Sequence, residues 1–309
     1  LMSSTASTSI WTYTWTVSTT VTSTTATVSG TDLAGNAYSG TDSVTFKVLP
    51  KNVPSNGIVA YFPFEGNQND FTEIISNGTL VSGTYVADRQ SNSNSAIQFS
   101  NDSGKLYGSA SEFENQNFTI SAWIYIDGYS NTNLNIFRFG GDPQDWDGGG
   151  YALTIDSGGN PYGPHLVFTS ADGGAKINKT GLSLSDKWFH LVGTKNGLEL
   201  KLFLDGQLIS SSTNHYNNGV LMDNSVINFV NSNWEILSDA NPNSNPIGER
   251  KVDDLVIYDR VLDNSEILQL YTGEIDFTSP TLNLTDTDSD NIVSNSDVVT
   301  ITATFSESM

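Results

Sequence analysis

The chain opens on alternation. Trp11, Tyr13, Trp15 and Val17 fall on one face and Thr12, Thr14 and Thr16 on the other, the period of two that predicts a half-buried β-strand. Ala26 and Val28 continue the pattern, and Val44, Phe46 and Val48 repeat it beyond a Gly35-Asn36 turn. Three short strands are expected over 1–48. Leu49 to Gly57 then carries two prolines and no periodicity, which marks 49–56 as a linker.

Between 57 and 273, strand-like runs recur between Gly, Asn and Asp turns: 58–64, 95–99, 118–126, 135–139, 151–156, 165–169, 188–195, 198–204, 226–229 and 251–258. Many short strands with little helix predict an all-β, antiparallel, two-sheet sandwich. One helix is expected, from Asn264 to Tyr271. Asp263 serves as its N-cap, Glu266 completes a capping box and Gly273 ends it. Beyond a linker at 274–279, alternation returns in 280–309, where Val299, Ile301, Ala303 and Phe305 oppose Thr300, Thr302 and Thr304.

Charge narrows the partners. Asp and Glu number 34 against 13 Lys and Arg, a formal net charge of −21. Such a surface repels phosphate backbones and anionic headgroups, so no nucleic-acid partner is expected, and cations are favoured. No apolar run approaches the roughly 18 residues of a membrane span, so no direct membrane insertion is expected either. The absence of cysteine removes disulfides, thiolate zinc sites and cysteine nucleophiles. Ser and Thr fill 18 of the first 30 positions. Leu1 begins no signal peptide, and the chain reads as a piece of a longer, secreted or cell-surface protein.

Four segments of the middle region, AYFPFEGNQND at 60–70, NFTISAWIYI at 117–126, KWFHLVGTKNGLELKLFLDGQLIS at 187–210 and VDDLVIYDRVLDNSEILQLY at 252–271, occur in an order that resembles the laminin-G-like jelly-roll domains of the concanavalin A-like lectin/glucanase superfamily. The resemblance implies a jelly roll over 57–273. The ends resemble bacterial immunoglobulin-like repeats, with 1–48 as the C-terminal half of one and 280–309 as the N-terminal half of the next. Other repeats of the same parent chain would be their partners. As each half alone leaves an open edge, the two are expected to exchange strands, 299–305 pairing within 11–48.

The resemblance also implies that the first and last jelly-roll strands are neighbours, and that a structural calcium lies near them. Asn67, Asn69 and Asp70 follow the first strand and Asp253 and Asp254 open the last, hard oxygen donors of the kind calcium takes in sets of six to eight. Turn hydrogen bonds are the other use for the same side chains. Asp286, Asp288 and Asp290 alternate like a calcium loop, but neither the turn glycine nor the closing glutamate of an EF-hand follows.

For a ligand, the run from Phe139 to Tyr151 sets Asp142, Asp145 and Trp146 among glycines, a mixture suited to stacking on a sugar and bonding its hydroxyls. Tyr151, Tyr162 and Trp234 are further candidates, each of which could instead clamp its own loop. Trp123, Trp188, Phe203 and Ile257 are expected in the core.

Catalysis is not expected. The glucanase relatives carry two carboxylates on one strand as E-x-D-x-x-E, whereas Glu274-Ile275-Asp276 ends on Ser279 where the final Glu belongs. None of His165, His190 and His215 sits beside an activating serine or acid in sequence. The expected role is a carbohydrate-binding or adhesive module that recognises an extracellular glycan or a surface protein. A structural spacer without a ligand is the alternative, and a glycoside hydrolase the second.

Overall fold

The computed structural model describes residues 43–100, 103–127, 133–141, 149–156, 164–170, 173–182, 184–213, 226–239 and 249–273. It adds short strand segments at 3–4, 11–12, 23–27, 216–217, 220–221, 282–286 and 301–305. Fifteen strands build the sandwich. In chain order they are β1 (Ile58–Phe62), β2 (Thr79–Val81), β3 (Gly83–Val86), β4 (Ala96–Phe99), β5 (Lys105–Ser109), β6 (Phe118–Ile126), β7 (Asn133–Gly140) and β8 (Gly150–Asp156). There follow β9 (Pro164–Ser170), β10 (Gly173–Asn178), β11 (Trp188–Asn196), β12 (Glu199–Leu204), β13 (Gln207–Ser212), β14 (Asn233–Asp239) and β15 (Arg250–Tyr258).

The first sheet runs β13-β12-β11-β6-β15-β4-β3, with β1 also on β15; the second runs β10-β9-β8-β7-β14-β5-β2. All these ladders are antiparallel. The expected jelly-roll sandwich is present, and the first and last strands of the middle region are neighbours: β1 lies on β15 from Leu255 to Tyr258.

Alternation explains which residues fill the space between the sheets. Along β6, Phe118, Ile120, Ala122, Ile124 and Ile126 point inward and join Phe62, Phe137, Trp234 and Ile257 in one core. Each large apolar side chain so buried stabilises the fold by roughly 1.5–3 kcal/mol. Sheet 1 carries a second apolar layer on its outer face, where Tyr61, Val192, Phe203, Val256 and Tyr258 meet Leu262, Ile267 and Leu270. Ile267 and Leu270 come from the helix α1 (Asn264–Thr272), which forms as the sequence predicts: Asp263 and Glu266 make the reciprocal capping box and Gly273 ends it at φ 73°.

Several expectations need correction. Val53 in 49–56 is buried in this second layer, and Lys51 and Asn56 accept hydrogen bonds at their backbone oxygens from Gln269 and Arg260, so the two-proline segment is packed, not a free linker. The run 226–229 forms no strand; the Ile227 carbonyl and N–H bond the Gln116 side chain in place of a neighbouring strand. Phe203 and Ile257 are buried as expected, at 3% and 0% exposure, but Trp123 and Trp188 are only half-buried. They occupy the outward positions of β6 and β11.

The chain divides into a unit of Leu1–Glu274 and a unit of Ile275–Met309. Within the first, Ser23–Thr27 pairs with Ser43–Lys47, and Lys47 bonds the Phe71 oxygen and pairs with Glu73. Within the second, Leu282–Asp286 pairs with Ile301–Phe305. The expected pairing of 299–305 within 11–48 falls largely on residues outside the described ones. The linker at 274–279 and Asp288 and Asp290 lie outside the described residues.

Candidate functional site

A discontinuity in β15 builds the main cleft. Ser121 of β6 lies opposite Val256, but Trp123 lies opposite Asp253, so Ala122 of β6 faces two residues of β15, Asp254 and Leu255. The extra residue is absorbed at Asp254, whose φ of 45° is left-handed. In a regular strand, successive side chains point to opposite faces; a bulge breaks that rule. Val252 and Leu255 therefore both reach the inner core, while Asp253 and Asp254 both line the outer cleft. On the far side, β4 pairs with β15 at 250–252 and β1 at 255–258, so the two aspartates occupy the gap between those ladders.

Arg89 enters this gap from the β3–β4 loop. Asp88 folds the loop on itself by accepting from the Gln90 and Asn92 backbone nitrogens, each at 2.8 Å, and from the Asn92 side chain at 2.8 Å. Arg89 then donates to Asp253 through Nη1 and to Asp254 through Nη2, the latter at 2.8 Å, and its guanidinium carbon lies 4.5 Å from the Trp123 ring centroid. The Tyr61 hydroxyl donates to the other Asp254 oxygen at 2.5 Å.

Trp123 is stacked on Tyr271 of α1, centroids 5.5 Å apart and planes at 20°, and touches the His190 ring at 5.2 Å. His190 in turn pairs its Nε2 with the Ser121 hydroxyl at 2.8 Å. The open cleft so formed measures about 600 Å3 and is also lined by Glu65, Asn52, Gln90 and Asn92.

Burial governs the protonation of this cluster. Asp253, 2% exposed, is pushed up to about 9, first by loss of water and then by the Asp254 charge, with Arg89 opposing. Burial and the same Asp254 carboxylate raise the Tyr61 phenol well above its ordinary range. His190 is depressed to about 3 by burial, with the Arg89 charge adding to it. It is held neutral.

A smaller concavity of about 310 Å3 lies on the outer face of sheet 2. It presents exposed Tyr107 beside Glu235, which pairs with Lys105 at 2.5 Å and Arg138 at 3.1 Å.

The acidic residues expected at a calcium site are brought near one another but serve other ends. The Asp70 carboxylate accepts from the backbone nitrogens of Tyr61, Thr72, Ile74 and Ile75 and from the Thr72 hydroxyl, which fills both its oxygens. Asn67 accepts from the Asn69 nitrogen at 2.9 Å, closing a turn. Asp253 and Asp254 hold Arg89. Donors so committed do not fit a shared calcium, and no group of three or more His, Asp or Glu disposed to hold a metal occurs among the described residues.

Of the ligand candidates, Tyr151 and Trp234 are core residues, both 0% exposed. Tyr151 stacks on Phe118 at 4.0 Å and donates to the Phe113 oxygen; Trp234 packs against Phe62 and Phe113. Their placement as surface aromatics is corrected. Asp142, Asp145, Trp146 and Tyr162 lie outside the described residues. The sequence reading missed Arg89 and Tyr61. A signal for the bulge was present in Val252-Asp253-Asp254-Leu255, where two adjacent acids interrupt the alternation.

The family model described as the concanavalin A-like lectin/glucanases superfamily matches residues 92–268. No curated protein matches the chain. Among solved structures, the sialidase of Trypanosoma rangeli is similar at a TM-score of 0.51 and 19% identity, over 71% of this chain but only 33% of the sialidase. The receptor-binding domain of a botulinum neurotoxin C/D mosaic serotype gives 0.53 at 14% identity, over 71% of this chain and 52% of that one. Domain 4 of an extracellular arabinanase from Geobacillus stearothermophilus, solved with arabinotriose, gives 0.52 at 15%, over 70% of this chain and 98% of the domain.

The expectation that the chain is no enzyme does not stand. Chains of a sialidase and a domain of an arabinanase share the fold, so the missing E-x-D-x-x-E pair does not decide the question. By the match over 92–268, more than half its length, the chain belongs to the concanavalin A-like lectin/glucanases superfamily.

Proposed function

We propose that the chain is a carbohydrate-binding module and that the sheet 1 cleft is its binding site. The observation that carries this reading is the half-buried Trp123–Tyr271 stack lining a cleft of about 600 Å3 whose other walls include carboxylates, amides and one guanidinium. Sugar rings present apolar C–H faces to aromatic rings and hydroxyls to such polar groups. The Geobacillus domain was solved with arabinotriose, and botulinum neurotoxin type C, a further structural neighbour, enters cells through interaction with two ganglioside molecules; both support a glycan ligand for this architecture. The module belongs, in this reading, to a longer extracellular chain with immunoglobulin-like repeats on either side. The Ser- and Thr-rich alternation of 1–48 and 280–309 supports that setting.

A glycan array probed with the purified chain and with Trp123→Ala tests the reading. Loss of binding is expected in the variant, with its circular dichroism showing that the fold is kept at the temperature of the array. Array binding that survives Trp123→Ala would move the site elsewhere.

A further inference from the structure

The charges around the cleft go beyond a generic sugar site. Three acidic side chains, Glu65, Asp88 and Asp254, line it beside Asp253, which burial holds protonated, against one basic one, Arg89. Arg89 is already shared between Asp253 and Asp254 and laid over Trp123, so its charge is answered from within the protein. A ligand carboxylate entering here would have to compete with both aspartates for it.

Two further features act in the same direction. The C-terminal end of α1, at Thr272 and Gly273, forms part of the wall, and its last turn carries no basic residue to offset the partial negative charge of the helix end. The Tyr271 ring, stacked on Trp123, adds an aromatic π system to the wall, and such rings attract cations. At a distance, the net charge of −21 adds a field that draws cations and turns anions away.

Resting on the reading of this cleft as a sugar site, we infer that its ligand class is glycans bearing a protonated amine, such as oligosaccharides of unacetylated hexosamine, and that acidic sugars are rejected. The ring C–H face stacks on the aromatic wall. The ammonium is set toward Glu65, the exposed carboxylate of the cleft, and the hydroxyls are left to the amides of Asn52 and Asn92.

Calorimetric titration with three tetrasaccharides separates the outcomes. A glucosamine tetramer at mildly acid pH carries the amines, its N-acetylated counterpart has the same skeleton without the charge, and a galacturonate tetramer carries carboxylates. The glucosamine tetramer is expected to bind about tenfold tighter than the N-acetylated one at low salt, a gap that narrows toward parity near ~1 M salt, where the screening length falls to ~3 Å. The galacturonate tetramer should not bind. Glu65→Gln, whose amide oxygen can still accept from the Ser95 hydroxyl, should lower the glucosamine affinity by about threefold or more.

Equal or tighter binding of the N-acetylated or galacturonate tetramer, lost in Trp123→Ala, would overturn the charge inference and leave the sugar site standing. Failure of all three to bind, or binding indifferent to Trp123→Ala, would overturn both.

Discussion

Arg89 and Trp123 form a cation–π pair, 4.5 Å from guanidinium carbon to ring centroid, and the same guanidinium joins two aspartates that a bulge has turned to one face. The side chain of Arg89 is 14% exposed and that of Asp253 3%. Desolvated partners depend on each other more than surface pairs do. Removing one side of such a network strands the other, at a cost of about 3–5 kcal/mol. Arg89→Ala is expected to lose stability in that range by urea denaturation. Arg89→Lys should recover only part, because an ammonium cannot span both carboxylates as a planar fork does. Equal stability of the Lys variant and the parent would show that the fork geometry is immaterial.

The pH dependence of stability follows from groups with opposite signs. Asp253 titrates at about 9 in the fold against 3.8 ordinarily, so between those values the folded chain holds a proton that the unfolded chain has released, and stability falls as pH rises. His190 titrates at about 3 against 6.5, so the unfolded chain holds the extra proton and stability rises with pH across that interval. From about 4 to 6.5 the two slopes oppose each other. From about 6.5 to 8 the Asp253 decline has a limiting slope near 1.4 kcal/mol per pH unit for one proton, and above about 8 the lowered Lys195 opposes it. Chemical denaturation at a series of pH values should show Asp253→Asn flattening the decline from neutral to about pH 8. His190→Gln should remove the loss of stability on acidification below 6.5. A parent profile already flat above neutrality would disprove the assignment to Asp253.

Trp234 and Trp188 differ in the opposite sense from what their sequence context suggests. Trp234 stands in NSNWE, a polar stretch that reads as a loop, yet it is 0% exposed in β14; Trp188 begins the apolar run WFHLV, yet it is half-buried. Trp234→Ala should cost about 3–5 kcal/mol through the cavity it leaves, and Trp188→Ala distinctly less. The Trp234 ring also fills the space a methyl group would need at two glycines, coming within 2.4 Å of a Cβ at Gly78 and 2.6 Å of one at Gly108. Gly78→Ala or Gly108→Ala should therefore destabilise by overpacking, on the order of 1–3 kcal/mol. Thermal melts of the four variants decide whether the indole is as tightly enclosed as this.

Period-two alternation and turn residues made the strands legible, and the capping box made the helix legible to within a residue. The direction of each strand was harder to read. In β6, Phe118, Ile120, Ala122, Ile124 and Ile126 are uniformly apolar, which marks their face as the core, but the large aromatics Trp123 and Tyr125 draw the eye to the other one. Sheet 1 makes this worse, because its outer face is itself covered by α1 and by Val53, so both faces carry apolar residues. The cleft was out of reach for a different reason. Arg89 and Asp253 are 164 positions apart, and only the topology that places β15 between β6 and β4 brings them together.

At Asp70, a metal ligand and a backbone anchor would behave differently. Four backbone amides and a hydroxyl converge on its carboxylate, and the side chain ties the end of β1 to the turn that follows. A charged acceptor satisfying several amides stabilises each by more than a neutral one would, and leaving buried donors without it costs about 1–3 kcal/mol apiece. Asp70→Ala should accordingly lower stability by several kcal/mol. Asp70→Asn should lie between, since its amide oxygen can replace one carboxylate oxygen while its NH2 group faces donors. For an anchor, these losses are the same in millimolar calcium and in chelator. A calcium ligand would add a stabilisation that grows with free calcium in the parent and vanishes in Asp70→Asn. Melting temperatures of parent and variants across a calcium series distinguish the two, and a calcium-dependent rise confined to the parent would return Asp70 to the metal site from which its hydrogen bonds remove it.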